Sequence, residues 1–425
     1  MRRAGLISLA LVAALAMLMA SGCSESEVNP FDPSQDTEPP VVTSFVYSAG
    51  NVSWSTDEDA LCVLEYGPVG GEYDHFVYES TTYFSTHHGA RLLAAEDGEE
   101  YQVRIRSRDR AGNEGYEASA PLPSSIVGSR MRDGTMTLSM IDVGWGLSMV
   151  ITTPDGSHAL VDAGSDDHLS DVLEYLQDNG IGYFDAAVAT HYHGDHVGGF
   201  AEDDGVLDQY GFASFVAPDP STAYIPIWTS LEERIDANGI PVTYVRQGHD
   251  SDNTPALDWD DTPGFRVEVM GAAYGGLIGG PEDSGEEGMK GNNDSIVLRL
   301  TWGGVSYIVT GDAEFFSEYR IVDHYGRQGC RADLLQIGHH GNDDASSELW
   351  LDNISPRVAL ISNAMIEAQL QKEVVTQGIG AVDADYFVTD RIYPNTPRNV
   401  DPTYGNIEAV TDGVTIEIVL EEDPW

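Results

Sequence analysis

The sequence predicts an α/β domain preceded by a small all-β sandwich, and three observations lead there. Short alternating runs such as "NVSWST" and "YQVRIRSRD" follow one another between turn residues in the first part of the chain. From residue 134 onward, strands alternate with helical patterns, the texture of an α/β fold. One apolar strand, "FDAAVATH", then delivers three histidines and an aspartate in close succession: His191, His193, Asp195 and His196.

The 425 residues suffice for about two or three domains. Their charge is lopsided: 70 acidic residues face 21 basic ones, for a formal net charge of -49. Such a surface repels nucleic acid and anionic lipid at long range, so tight nucleic-acid binding is not expected. There are 3 cysteines, Cys23, Cys62 and Cys330, too few and too scattered for a disulfide framework or a cysteine zinc site.

In chain order, "MRRAGLISLALVAALAMLMASGC" begins basic, turns apolar over Leu6 to Met19 and ends in small residues before Cys23. That order predicts a signal peptide over 1–22 rather than a membrane-spanning helix. The Gly22-Cys23 ending resembles a bacterial lipobox, which implies lipidation of Cys23 and a place in the cell envelope, facing outside the cytoplasm; plain secretion is the alternative. Residues 23–38 are polar, acidic and proline-punctuated, and read as a tether.

Residues 39–123 alternate with period two and carry turn signals, hence the small sandwich. "VSWSTDEDALCVLEYG" and "GEEYQVRIRSRDRAGNEG" resemble a fibronectin type III-like domain, with Trp54 and Tyr101 as its core aromatics. Its role is that of a spacer or adhesion module, able to fold alone, and the sequence leaves open whether it docks or hangs free. His75, His87 and His88 read as surface-loop histidines, with metal binding by His87-His88 as the alternative. A linker follows over 124–133.

In the remainder, 134–422, "TMTLSMIDVG" and "LSMVITTPDGSHALVDAG" read as strands, the latter a hairpin through Pro154-Asp155-Gly156. "DDHLSDVLEYLQDNG" places Leu169, Val172, Leu173 and Leu176 on one helical face and stops at Asn179-Gly180. The strand "FDAAVATH", a helix in "STAYIPIWTSLEERIDANG" and the strand "PVTYV" come next. Residues 271–291 are glycine-rich and acidic, a flexible loop past which substrate would enter. "SIVLRLTWGGVSYIVTGD" is a hairpin, "ADLLQIGHHG" a strand ending in histidines, and "VALISN" and "GNIEAVTDGVTIEIVL" supply the last strands.

The histidine cluster carries the chemistry. A divalent metal such as zinc takes imidazole and carboxylate donors, and a catalytic site keeps a position open for water. His191 and His193, two apart at an extended strand end, can aim at one ion. Asp195 and His196, after Gly194, can turn toward a second. Two ions roughly 3.5–4 Å apart activate a shared hydroxide and clamp the oxygens of the group under attack.

This H-x-H-x-D-H-x-G-G pattern resembles the metallo-β-lactamase superfamily, as do "LVDAG", "VTGDAE" and "QIGHHG" in the same order. The resemblance implies a metallo-β-lactamase αββα sandwich and two divalent ions, zinc first, with manganese or iron as alternatives. It also implies that Asp162 orients a metal ligand, that Asp312 is the bridging carboxylate and that His339 is the last metal histidine. His340 is the alternative ligand, or a hydrogen-bond donor to the leaving oxygen. "IDVGWG", "NNDSIVL" and "HHGNDDASS" bring the chain nearest the ComEC-like branch, the hydrolase domain of DNA-uptake competence proteins and its secreted relatives. Two departures stand out. Trp145, Leu147 and Ser148 replace the branch's usual glutamine, aspartate and alanine. The third histidine of the first metal site is missing, since the one candidate, His249, reads as a surface residue; Asn292 or Asn293 can instead offer an amide to substrate.

The expectation is a metal-dependent hydrolase of the cell envelope, a phosphodiesterase using a metal-bridged hydroxide. Asp195 would hold and relay the proton, and Asn293 would donate to a substrate oxygen. Small phosphodiesters suit the acidic exterior better than duplex DNA. The alternatives are a lactone or β-lactam hydrolase, or a surface binding protein without catalysis.

Overall fold

The computed structural model describes residues 36–48, 50–79, 83–96, 98–118, 134–220, 225–272, 289–363, 378–389 and 405–420. The expected signal peptide, Cys23, nearly all of the tether, the 124–133 linker and most of the 271–291 loop lie outside these residues.

The first part carries six strands: β1 (Val42–Ser48), β2 (Asn51–Pro68), β3 (His75–Tyr78), β4 (Ser85–Arg91), β5 (Tyr101–Arg108) and β6 (Glu114–Ala118). β2 is long enough to serve two sheets. Its first half pairs with β1 and β4, and its second half with β3 and β5, with β6 beside β5. Alternation turns Val52, Trp54, Leu64 and Tyr66 inward, where they meet Tyr101, Val103 and Ile105 in one core. Trp54 and Tyr101 are buried there as expected. None of the three histidines lies in a loop: His75 is in β3, and His87 and His88 are in β4. His88 is turned inward and stacked on Trp54 at 5.5 Å, with Nδ1 3.0 Å from Glu79 Oε2. The carboxylate supplies the partner that a buried imidazole needs.

The second part runs β7 (Met136–Met140), β8 (Ser148–Thr152), β9 (His158–Ala163), α1 (Leu169–Asp178), β10 (Tyr183–Phe184), β11 (Ala186–Val188), α2 (Gly194–Ala201), α3 (Val206–Gln209), β12 (Gly211–Phe212) and β13 (Phe215–Ala217). It continues with α4 (Ile225–Asn238), β14 (Val242–Tyr244), β15 (Phe265–Gly271), α5 (Met289–Asn292), β16 (Val297–Trp302), β17 (Val305–Val309), α6 (Phe315–Cys330) and β18 (Leu334–Gln336). The last elements are α7 (Glu348–Ile354), β19 (Val358–Ile361), β20 (Asp385–Val388), β21 (Ile407–Thr411) and β22 (Ile416–Leu420).

Two large sheets result, ordered β14-β13-β11-β9-β8-β7-β21-β22 and β15-β16-β17-β18-β19-β20, with β10 and β12 forming a separate pair. Leu138, Met149 and Val188 of the first face Val267, Leu298 and Leu334 of the second in the central core. Val172, Leu176, Phe200 and Leu231 cover the outer face of the first sheet. Ile321, Trp350 and Leu351 cover that of the second. The layers are therefore α, β, β, α, as the family resemblance implies. The helix α1 buries Val172, Tyr175 and Leu176 and stops at Gly180 (φ +66), where only a residue free of a Cβ turns without strain.

The N-terminal strands do not hang free. β3 pairs antiparallel with β22, so the first sheet runs on into them. Phe76 and Tyr78 of β3 belong to the central core. Glu417 of β22 is fully buried and accepts hydrogen bonds from His75 Nδ1 (2.9 Å), Ala94 N (3.1 Å), the Tyr66 hydroxyl and Leu93 N.

Candidate metal centre

Strands β9, β11, β13 and β14 are mutually parallel, as are β17, β18, β19 and β20. Ligands of such sheets gather at the carboxyl ends of the strands, and every expected metal-binding side chain lies there. Asp162 closes β9, His191 to His196 follow β11, Asp312 follows β17, and His339 and His340 follow β18.

Two groups converge. His191, His193 and Asp312 form one; Asp195, His196, Asp312 and His340 form the other, with candidate ligand atoms within 4.8 Å of one another in each. Asp312 is common to both, the place a bridging carboxylate occupies. Its Oδ2 lies 3.7 Å from His191 Nε2, and its Oδ1 lies 3.1 Å from His196 Nε2 and 3.5 Å from His340 Nε2. His340 Nε2 is also 3.5 Å from Asp195 Oδ2.

The donor set fits divalent metal. His196 Nε2 and His340 Nε2 face each other at 3.3 Å. Two nitrogens bound to one tetrahedral zinc at 2.0–2.1 Å are separated by about 3.3 Å. Asp312 Oδ1 and His191 Nε2 are buried without a hydrogen-bond partner, a costly condition that coordination relieves. Without metal, the centre polarises its own groups. Burial disfavours the charged forms of both Asp312 and His196; even so, His196, His340 and His191 hold Asp312 well below the usual carboxylate range. Asp312 and Asp162 hold His196 well above that of an imidazole. Burial, with His196 beside it, pushes His191 well down. Burial likewise opposes the charge of Asp195, yet the hydrogen bond from His340 and the His196 charge leave its pKa lowered.

The supports are equally specific. Asp162 accepts from Thr190 N at 2.8 Å and Thr190 Oγ1 at 2.6 Å, and its Oδ2 lies 2.7 Å from His196 Nδ1. His340 Nδ1 is 3.1 Å from the Ser362 carbonyl, which directs Nε2 at Asp312. The Asn363 amide donates to the His340 carbonyl, and Ser362 Oγ donates to the Gly146 carbonyl. Gly146 (φ +149) passes so close to Asp195 that an added Cβ would meet its carbonyl oxygen at 2.4 Å. The ring of Trp145, half-buried, stands 4.9 Å from that of His340.

Two expectations are corrected. His340 joins Asp195, His196 and Asp312, whereas His339, the expected ligand, turns to Glu314 and Asp344 in a separate group. The two are consecutive in a tight turn at positive φ, 48° and 55°, and their rings go to different partners. His339 Nδ1 lies 2.7 Å from Asp344 Oδ1. The Asn293 side chain is engaged by Glu314 and Ser317. Its Nδ2 donates to Glu314 Oε2 at 2.8 Å, and its Oδ1 accepts from Ser317 N at 3.2 Å. Asn292, buried, donates to Glu314 Oε1 at 2.9 Å. His249 is half-buried and joins no candidate metal group among the described residues. The backbone of α5 passes close to His193: a Cβ on Gly291 would lie 2.6 Å from His193 Nε2.

The Asp344 and Glu314 partners of His339, the Ser362–Asn363 support of His340 and the Trp145 contact were not read from the sequence. The signal for one of them was present, since "VALISN" ends a strand with two polar residues where ligands gather.

The family model described as "Metallo-beta-lactamase superfamily" matches residues 142–364, just over half of the chain. "ComE operon protein 3" of Bacillus subtilis is 25% identical over 242 residues, covering 53% of this chain and 28% of that protein. "Competence protein ComA" of Neisseria gonorrhoeae is 26% identical over 251 residues, covering 57% and 30%. The chain thus spans under a third of the length of these relatives. Among solved structures, the metallo-beta-lactamase fold protein YhfI from Bacillus subtilis is similar at 12% identity and a TM-score of 0.38, covering 60% of this chain and 96% of that one. A diphosphatase from the PhnP family follows at 14% identity and a TM-score of 0.33, covering 64% and 96%.

Proposed function

The chain belongs to the metallo-beta-lactamase superfamily and is a metal-dependent hydrolase, and on that premise we propose that it is a phosphodiesterase of the ComEC-like branch. The observation that carries the reading is the convergence of two donor groups on Asp312, one of them with only three protein donors. His191, His193 and Asp312 would hold one divalent ion, and Asp195, His196, His340 and Asp312 the other. Bound there, the ions supply Lewis-acid activation of water and neutralise charge on phosphoryl oxygens.

The chain's own residues do the rest. With three protein donors, the first position leaves coordination sites for substrate oxygens, and Gly291, free of a Cβ, lets α5 pass beside His193. Asp195, whose side chain is 25% exposed, is the carboxylate at the open side of the centre and takes the proton of the attacking water. Asp162 and Ser362 hold the tautomers of His196 and His340. His339 lies at the rim where a phosphate diester arrives, its Nδ1 2.7 Å from Asp344 Oδ1. The half-buried Trp145 offers an apolar wall for the ester group.

One relative's printed name concerns competence, and the acidic exterior of this chain points instead to small phosphodiesters. Lipidation of Cys23, an envelope location facing outward and a fibronectin type III-like N-terminal unit belong to the same proposal. The first two are supported by the order of residues 1–23, the third by the core around Trp54 and Tyr101.

The test is turnover by the zinc- or manganese-loaded full chain of bis-p-nitrophenyl phosphate, a lactone and a β-lactam side by side. Phosphodiester cleavage that disappears in Asp195→Ala supports the reading. Lactone or lactam opening without phosphodiester cleavage overturns it.

A further inference from the structure

A cavity of about 310 Å³ lies between the N-terminal strands and the hydrolase layers. It opens where β19 and β20 begin, and the metal centre lies beyond the opposite, carboxyl ends of the same parallel sheet. The cavity is therefore separate from the catalytic site. Four arginines line it, Arg106 and Arg108 from β5 and Arg331 and Arg357 from the hydrolase layers, against Asp383 and Asp385. An excess of positive charge in one cleft is unusual in a chain of net charge -49.

Two of the arginines are neutralised. Arg106 Nη1 donates to Asp385 Oδ1 at 3.0 Å and its Nε to Glu65 Oε1 at 2.9 Å, and Arg108 pairs with Asp383. The other two differ. Among the described residues, neither Arg331 nor Arg357 has a carboxylate within ion-pair distance. Arg357 Nη1 is buried with no hydrogen-bond partner, and its guanidinium lies 5.6 Å from the centroid of the Tyr78 ring. A buried cationic donor without a partner is costly. Burial accordingly pushes the Arg357 pKa down, against the pull of Asp333.

We propose that this interdomain cavity binds a small phosphate-type oxyanion, held by Arg357 and Arg331. A planar guanidinium offers paired donors matched to tetrahedral oxyanions, which accounts for arginine rather than lysine at both positions. The volume lies at the lower end of small-molecule pockets, and Leu61, Val63 and Val382 leave an apolar wall for a short organic substituent on the anion. Because the lining comes from both parts of the chain, the anion would also tighten their docking.

The experiment is thermal unfolding and calorimetric titration of the metal-loaded full chain with inorganic phosphate, chloride holding ionic strength constant. The wild type gains melting temperature with phosphate. In Arg357→Gln the corresponding dissociation constant rises by about tenfold or more, and in Arg331→Gln it rises measurably. Phosphate at the metal centre would shift all three proteins alike, so an undiminished shift in both variants overturns the proposal, as does no shift in the wild type. If Arg357→Gln does not fold, Arg331→Gln, altered at an exposed position, decides alone: a reduced shift supports the site and a wild-type shift overturns it.

Discussion

Asp162 Oδ2 lies 2.7 Å from His196 Nδ1, with both side chains fully buried, and this contact sets the direction in which His196 offers Nε2 to Asp312. Asp162 is held at φ +57, a conformation costing about 1–3 kcal/mol, and the Thr190 donors and His196 secure it. Burial raises its pKa, and His196 and Thr190 oppose that rise. In Asp162→Asn the amide nitrogen can face His196, and the imidazole then loses its acceptor. Metal affinity should fall by about 10–100-fold, measured by competition with a chromophoric chelator, while far-UV circular dichroism stays unchanged. Unchanged affinity would remove Asp162 from the account.

The two histidines of the "HHG" turn should separate cleanly. His340→Ala removes a donor from the group that contains Asp195 and His196, so metal content should drop toward one ion per chain. His339→Ala leaves both groups intact and should keep the wild-type content. Elemental analysis of the two purified variants checks this, and the opposite pattern would return His339 to the metal.

How much of this was legible in the sequence follows from what fixes each feature. The cluster from His191 to His196 is local, so strand-end geometry alone brings its donors together. Asp162 and Asp312 were placed by motif order, and the structure sets both beside that cluster. The choice between His339 and His340 was not legible, because the two are consecutive in a tight turn and no pattern in "GHHG" encodes which partner each ring goes to. Asn293 failed for a similar reason: its competitor, Glu314, is 21 residues away and meets it only through the tertiary fold. Strands β15 and β20 were not read either. β20 has four residues, and strands that short carry little periodic signal. The pairing of β3 with β22 is the most distant relationship of all, and period-two alternation is silent about which strand lies beside which.

That pairing revises the expectation of an independent N-terminal module. A chain starting near Arg130 would lose Phe76 and Tyr78 from the central core, expose the β22 edge and strip Glu417 of its four donors. Burial of two such aromatics is worth about 3–6 kcal/mol, so the truncated chain should melt well below the full one or aggregate. Equal melting temperatures for the two would contradict the structural role of this junction.

The central claim is a dinuclear centre bridged by Asp312, and the metal-to-protein ratio of the purified full chain tests it most directly. After zinc loading and removal of loose metal by desalting, elemental analysis should find two ions per chain. A ratio of one or below in the folded, fully loaded wild type would contradict the account.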